Sequence, residues 1–365
     1  MASFHVSKQL LDPAIIVMCE VLDVKAEERM LIITNPTPDV YVISRALFLA
    51  AKKFGATPTL AVQPVKGSFD YAEPAIIGAI KTAPEIVLSI SAQRLGKDKE
   101  ALINPYKAYD GRTYHHIFDF LLYGEKKIRA FWTPTITTKI FIKTIPINYA
   151  ELRARCGRIL HEMTGAKEIH IKTELGTDLL IGVEGRKPFV DDGDFRASGQ
   201  GGNLPAGEVF ISPRLGSSNG TLVFDGSIGL DKTLIIKQPI VLKVKDGFVI
   251  HVEGGQEASI LAKFLKKAEK APFELAKKEK LEKNKASEYA ANARNLGEFG
   301  IGLNSKAEIV GNLLEDEKVL GTVHIALGEN YDRDAPALIH CDGIVKKPTV
   351  EINGKTIMEN GQLLI

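Results

Sequence analysis

Side chains able to bind a metal ion cluster in the C-terminal part of this chain, each in or beside an apolar or glycine-rich run: Glu208, Glu298, Glu317, His324, His340 and Asp342. Burying a carboxylate or an imidazole in such surroundings is costly unless something compensates it, and a divalent cation compensates several such groups at once. The pattern points to a metalloenzyme. The tightest run is residues 337–345, ALIHCDGIV. As a strand it projects His340 and Asp342 from one face and Ile339 and Cys341 from the other, so an imidazole and a carboxylate share one space while the Cys341 thiol packs into the core. Residues 321–328, GTVHIALG, read as a second short buried strand between turn signals. Taken alone, His324 would be a hydrogen-bonded core histidine; its neighbours change that reading.

Just upstream, residues 313–318, LLEDEK, set three acids in a row. At least two of them are expected to form a solvated turn. Residues 295–304, NLGEFGIGLN, isolate Glu298 in an apolar, glycine-rich segment unlike an exposed turn. Residues 203–213, NLPAGEVFISP, repeat the pattern, with a turn and then Glu208 opening an apolar strand.

In the same order, the runs NLPAGEVFISP, LGEFGIGLN, DEKVLGTVHIALGENY and IHCD resemble the metal-binding motifs of the aminopeptidase T and aminopeptidase S metallopeptidases, often labelled leucyl aminopeptidases. The resemblance spans at least Gly176 to Val350, and more loosely the whole chain. It implies a pair of divalent metals held at the matching positions Glu208, Glu298, Glu317, His324, His340 and Asp342. That family also has a tyrosine seven residues beyond the histidine of its HxALG motif, the place held here by Tyr331. A phenol there could donate a hydrogen bond to a developing oxyanion. Two departures matter. The stretch between Glu317 and His324 is longer than in the peptidases, which leaves Glu315 as the alternative ligand. The GIGLN after Glu298 is more similar to a side branch of the superfamily, the 2,5-dihydroxypyridine dioxygenases, which use one non-haem iron and cleave an aromatic ring. In that branch a histidine replaces the glutamate, giving a two-His-one-carboxylate iron site suited to oxygen chemistry. Glutamate at position 298 favours the peptidase.

Four carboxylates and two imidazoles suit zinc, cobalt or manganese. Two such ions can share a carboxylate and a nucleophilic water, one polarising the scissile carbonyl and the other binding the free amino group of a peptide. The expected activity is therefore that of a metallo-aminopeptidase. Glu298 would bridge the metals or help take the water proton, and Tyr331 would steady the tetrahedral intermediate. The alternative is a mononuclear Fe(II) ring-cleaving dioxygenase acting on a small dihydroxylated aromatic. The resemblance further implies a homodimer.

The elements that must position these groups read as α/β. Residues 1–150 form an N-terminal α/β layer domain with a parallel sheet, and residues 151–365 a strand-rich α+β metal-binding domain. The chain of 365 residues, 45% hydrophobic, has apolar content for both cores. Residues 29–34, 40–54 and 58–62 follow the strand, helix, strand order of a βαβ unit. No G-x-G-x-x-G or G-x-x-x-x-G-K-[ST] follows these strands, so a dinucleotide or P-loop role has little support. Residues 149–164 read as a helix, 169–173 and 178–183 as strands, and Asp225-Gly226 and Asp246-Gly247 as hairpin turns. The acidic stretch Asp191–Asp194 lacks the other EF-hand positions and reads as a solvated turn. The adjacent His115 and His116 would diverge on a helix and are read as surface or interdomain residues, not ligands. His251 has nothing converging on it.

A formal net charge of +2 gives no electrostatic case for nucleic acid or an anionic membrane. The lysines between Lys263 and Lys285 recur in a helical rhythm and read as a solvated helix face. Cys19, Cys156 and Cys341 form no C-x-x-C, which argues for a reducing compartment. With no signal-peptide pattern and no membrane-length apolar stretch, the expected location is the cytoplasm.

Overall fold

The apolar run Arg29–Thr34 becomes an inner strand of a five-stranded sheet in the computed structural model, which describes residues 6–365. The sheet order is Gly201–Asn203, Arg129–Trp132, Ile86–Ile90, Arg29–Thr34, Thr57–Val62, and every pairing is parallel. Helix Pro38–Lys53 makes the expected crossover. Pro38 suits its first turn, where no backbone N–H is needed. Gly55, at φ 79°, turns the chain out of the helix while Ala56 N–H donates to Ala51 O. Leu31, Ile33, Ile80, Val87 and Leu122 belong to the apolar core against this sheet.

The chain forms two compact units. One runs to Arg153 and takes back Asp191–Ala206; the other comprises Ala154–Val190 and Gly207–Ile365. The second is built on two sheets. The seven-stranded sheet runs Thr233–Ile235, Ser227–Gly229, His340–Lys346, Thr322–Gly328, Leu296–Gly302, Glu208–Ile211, Phe189–Asp191. The eight-stranded sheet runs Phe248–Gly254, Ile240–Lys245, Asn219–Phe224, Asp178–Gly182, Glu168–Lys172, Thr349–Ile352, Lys355–Glu359, Gln362–Leu363. Helix Gln256–Lys277 buries Leu261, Leu265 and Ala268 and leaves Lys263, Lys266, Lys267 and Lys270 exposed, as its rhythm requires. Among the described residues no helix is long and apolar enough to cross a membrane.

Three local readings need correction. Asp246-Gly247, at φ 49° and 80°, closes the expected hairpin, but Asp225-Gly226 does not. It carries the chain from the eight-stranded sheet to the seven-stranded one, both its N–H groups donating to Ile344 O while Asp225 accepts from Lys346 N–H. A Cβ on Gly226 would stand 2.9 Å from that of Ile344, so the dipeptide is chosen for a close crossing, not for a hairpin. Asp191 is no solvated turn residue: it is buried at a strand end and accepts from Asn203 N–H. His116 precedes a short helix as its N-cap, its Nδ1 accepting from Phe118 N–H and its Nε2 bonded to Gly96 O.

Candidate metal centre

Strand register puts the candidate ligands on one face of the seven-stranded sheet. Glu298 pairs with Ala326, which pairs with Asp342; Gly300 pairs with His324; Gly328 pairs with His340; Glu208 pairs with Gly302. Directly paired residues share a face, and alternation carries the face along each strand. That face holds Glu208, Glu298, His324, His340 and Asp342, with Gly300, Gly302 and Ala326 between them. The opposite face holds Val209, Ile211, Phe299, Ile301, Val323, Ile325 and Cys341, all buried. Cys341 therefore points away from the carboxylates, and burial pushes its thiol well above 9. The small residues make room: a Cβ on Gly300 would lie 2.0 Å from His324 Nε2, so the imidazole rests directly on glycine backbone.

The donors meet in two groups that share Glu298. Glu208, Glu298 and His324 form one; Glu298, His340 and Asp342 form the other; within each the ligand atoms lie within 4.8 Å of one another. His324 Nε2 is 2.9 Å from Glu298 Oε1 and 3.5 Å from Glu208 Oε2. His340 Nε2 is 3.3 Å from Glu298 Oε2 and 3.4 Å from Asp342 Oδ1. Glu208, Glu298, His324 and Asp342 are buried, whereas His340 is partly open. Glu208 Oε2, Glu298 Oε2 and Asp342 Oδ1 are buried without a hydrogen-bond partner. Buried carboxylate oxygens left in that state fit a divalent cation, which would satisfy all three. The donor set, hard oxygens with imidazole nitrogens, fits the same ion class.

Electrostatics point the same way. Burial works to raise the Glu298 carboxyl, but the His324 hydrogen bond to Oε1 and the nearby His340 imidazole override it and hold it at about 2. Burial opposes charge on His324, yet Glu298 and the other carboxylates lift it to about 9. Although desolvation opposes charge on it, His340 is raised well above 6.5 by Asp342 and Glu298. Without an ion, protons on the two imidazoles provide the positive charge between these carboxylates.

The three acids before the His324 strand divide by role. Glu315 is buried and accepts from Glu308 N–H; Asp316 is buried and accepts from Ser227 Oγ, Val310 N–H and Gly311 N–H. Both fasten the loop before the strand, so the expected solvated turn is instead a buried one. Glu317 alone turns toward the donors; it joins neither group, and its Oε1 lies 2.6 Å from Lys318 Nζ. Burial, with Glu208 and Asp342 nearby, raises Glu317 to about 7 against the pull of Lys318. Lys318 also lies 2.6 Å from Glu208 Oε1 and is completely buried. Sequence reading passed over it, because a lysine after three acids looks like part of a solvated turn.

Tyr331 leans edge-on against His340, ring centres 5.6 Å apart, and packs with Phe189 and Phe210. Its ring is half exposed, but burial of the hydroxyl and the carboxylates of Glu298, Glu208, Asp342 and Glu317 hold the phenol well above 10. It is a proton donor at any neutral pH.

Residues 137–365 match a family model described as NicX: 2,5-dihydroxypyridine 5,6-dioxygenase. The 2,5-dihydroxypyridine 5,6-dioxygenase of Pseudomonas putida KT2440 is 31% identical over 103 residues, which is 28% of this chain and 29% of that protein, so the aligned stretch spans under a third of that relative. A solved structure of 2,5-dihydroxypyridine dioxygenase from Pseudomonas putida KT2440 superposes with a TM-score of 0.71 at 17% identity, over 99% of this chain and 98% of that one. Wild-type AmpT from Thermus thermophilus superposes with a TM-score of 0.65, also at 17% identity, over 98% and 99%. At such identity both likenesses speak to the fold.

Proposed function

This chain belongs to the NicX family, described as 2,5-dihydroxypyridine 5,6-dioxygenase, and we propose that within it this member is a metal-dependent hydrolase that releases N-terminal residues from peptides. The observation that carries the reading is the pair of donor groups joined through Glu298, each with one imidazole and two carboxylates. Neither is the two-His-one-carboxylate set that suits an oxygen-activating iron.

In this reading Glu208, Glu298 and His324 hold one divalent ion and Glu298, His340 and Asp342 the other. Two such ions supply Lewis acidity and a water acidified into a nucleophile near neutral pH. Glu298 offers Oε1 to the His324 side and Oε2 to the His340 side, so this one carboxylate would either join both groups or, with one oxygen free, help to take a proton from the nucleophile. Tyr331, protonated and beside His340, donates to the oxygen on which negative charge develops. The partly open His340 and the Phe189, Phe210 and Tyr331 rings beside it mark the side from which a peptide's first residue would approach. Glu315, weighed as an alternative ligand, is committed to the loop, and Glu317 serves Lys318.

Family membership favours a second reading, a single Fe(II) centre that cleaves a dihydroxylated aromatic ring. One experiment separates them: elemental analysis of the purified protein with an anaerobic assay on a panel of aminoacyl amides. The proposal expects about two equivalents of zinc, cobalt or manganese and free amino acid released without oxygen. One equivalent of iron, no hydrolysis and oxygen uptake on a dihydroxylated ring would overturn it. Glu298→Gln should lose both metal and activity; a variant retaining both would remove Glu298 from its role.

A further inference from the structure

Lys318 is a fixed cation inside the centre. Its Nζ lies 2.6 Å from Glu208 Oε1 and 2.6 Å from Glu317 Oε1, with no exposure to solvent. The backbone locks it there: Lys318 N–H donates to Glu315 O, and its carbonyl accepts from Asn304 N–H. Gly302 lets the segment press on the adjacent strand, since a Cβ there would stand 2.8 Å from the Lys318 carbonyl carbon. An ammonium so enclosed cannot reach substrate. It acts on the two donor groups, and it acts on them unequally. One oxygen of Glu208 is engaged by the ammonium, leaving Oε2 for the group with Glu298 and His324. Glu298 and Asp342 have only histidines as ion-pair partners among the described residues.

We propose that Lys318 is a positioning residue that makes the centre asymmetric: the ion between Glu298, His340 and Asp342 is resident, and the ion between Glu208, Glu298 and His324 is weakly held and exchangeable. This rests on the two-ion reading. The ammonium repels a second cation brought beside Glu208 and withholds Glu317, which would otherwise add a fourth donor. Because fixed charges act strongly at such separations in a buried site, the difference should be at least ~10-fold in affinity.

The test is titration of metal-free full-length protein with cobalt(II), followed by visible absorption and equilibrium dialysis. Wild type should bind two ions in two classes, at least ~10-fold apart, and Lys318→Met should tighten the weaker class by a similar factor. Lys318→Arg, which keeps the charge, should restore the wild-type pattern; a merely structural lysine would not produce that charge-dependent shift. Two equal classes in wild type, or a Lys318→Met whose weaker class is unchanged or weaker still, overturns the inference while leaving two-ion hydrolysis standing. One ion in wild type, whatever Lys318→Met binds, sinks the two-ion reading and the inference with it. If Lys318→Met does not fold, Glu317→Gln serves: removing a carboxylate beside the ammonium should loosen the weaker class more than the tighter one, and equal effects count against the inference.

Discussion

Replacing Gly300 by alanine tests how the centre is built, because it changes no ligand. The new Cβ would stand 2.0 Å from His324 Nε2 and 2.2 Å from Cε1. Non-bonded carbons sit at about 3.5–4.0 Å, so the ring must retreat by about 1.5 Å or the strands must part. The ring has little freedom to retreat: His324 is 1% exposed and its Nε2 sits 2.9 Å from Glu298 Oε1. Moved that far, it leaves the group with Glu208 and Glu298, while His340 and Asp342 keep theirs. A misplacement of about 1 Å at a reacting centre can cost ~100-fold, so kcat/KM should fall at least that much. Overpacking costs about 1–3 kcal/mol. At about 2–4 °C per kcal/mol for a unit of this size, Gly300→Ala should melt several degrees lower and still fold. The assay is three measurements on one preparation: a thermal melt, elemental analysis and hydrolysis of an aminoacyl amide. One ion retained of two, with activity lost, is the expected result. Unchanged metal content and wild-type kcat/KM would refute the claim that glycine backbone seats this imidazole.

Tyr331→Phe should lower kcat by roughly 100-fold, the scale for an oxyanion donor, with metal content unchanged; undiminished kcat would remove the phenol from the chemistry. Because His324 is raised to about 9 in the metal-free site, ion uptake at pH 7 must displace its proton, so apparent affinity should climb as pH rises from 7 to about 9. Potentiometric titration in weak buffer reads this directly, and uptake without proton release would contradict it. His324's folded pKa is raised, so its contribution to metal-free stability is complete below the ordinary 6.5 and is lost as pH rises through about 9. The metal-free protein should lose melting temperature over that window and the loaded protein should not. Asp316→Ala, which strips Ser227 Oγ and two backbone N–H groups of their acceptor, should cost several kcal/mol in chemical denaturation, on the scale of a broken buried network; a neutral result would show that the loop before His324 is fastened elsewhere.

What could be read from sequence followed from period-two alternation and from motif order. Alternation set His340 and Asp342 on one face of a strand; Glu208, Glu298 and His324, on three others, were each weak signals in apolar runs and joined the set through the order of motifs shared with the metallopeptidases. The spacing also exposed Cys341 as a core thiol. The acids before His324 had no such signature. Glu315, Asp316 and Glu317 are adjacent, and which one faces the donors depends on the turn that Leu313–Asp316 makes and on carboxylates accepting distant backbone N–H groups. Asp225-Gly226 and Asp246-Gly247 have the same composition and opposite outcomes, because only the second is flanked by strands that pair with each other. Gly300 was visible only as part of a glycine-rich run; its purpose depends on the register that lays His324 across it.

Charge balance links the fixed lysine to the chemistry. Glu208, Glu298, Glu317 and Asp342 face one ammonium, Lys318. With neutral imidazoles, one divalent ion leaves a single net negative charge, and two ions leave a single net positive charge. A centre that must stabilise negative charge growing on a carbonyl oxygen gains from the second arrangement and is opposed by the first. An ionised dihydroxylated ring would likewise be repelled by the one-ion balance unless Glu317, raised to about 7, accepted a proton. The lysine that weakens the second ion therefore also lets that ion, once bound, turn the centre positive. Replacing Lys318 by an uncharged residue should tighten the ion and yet leave the oxyanion less stabilised.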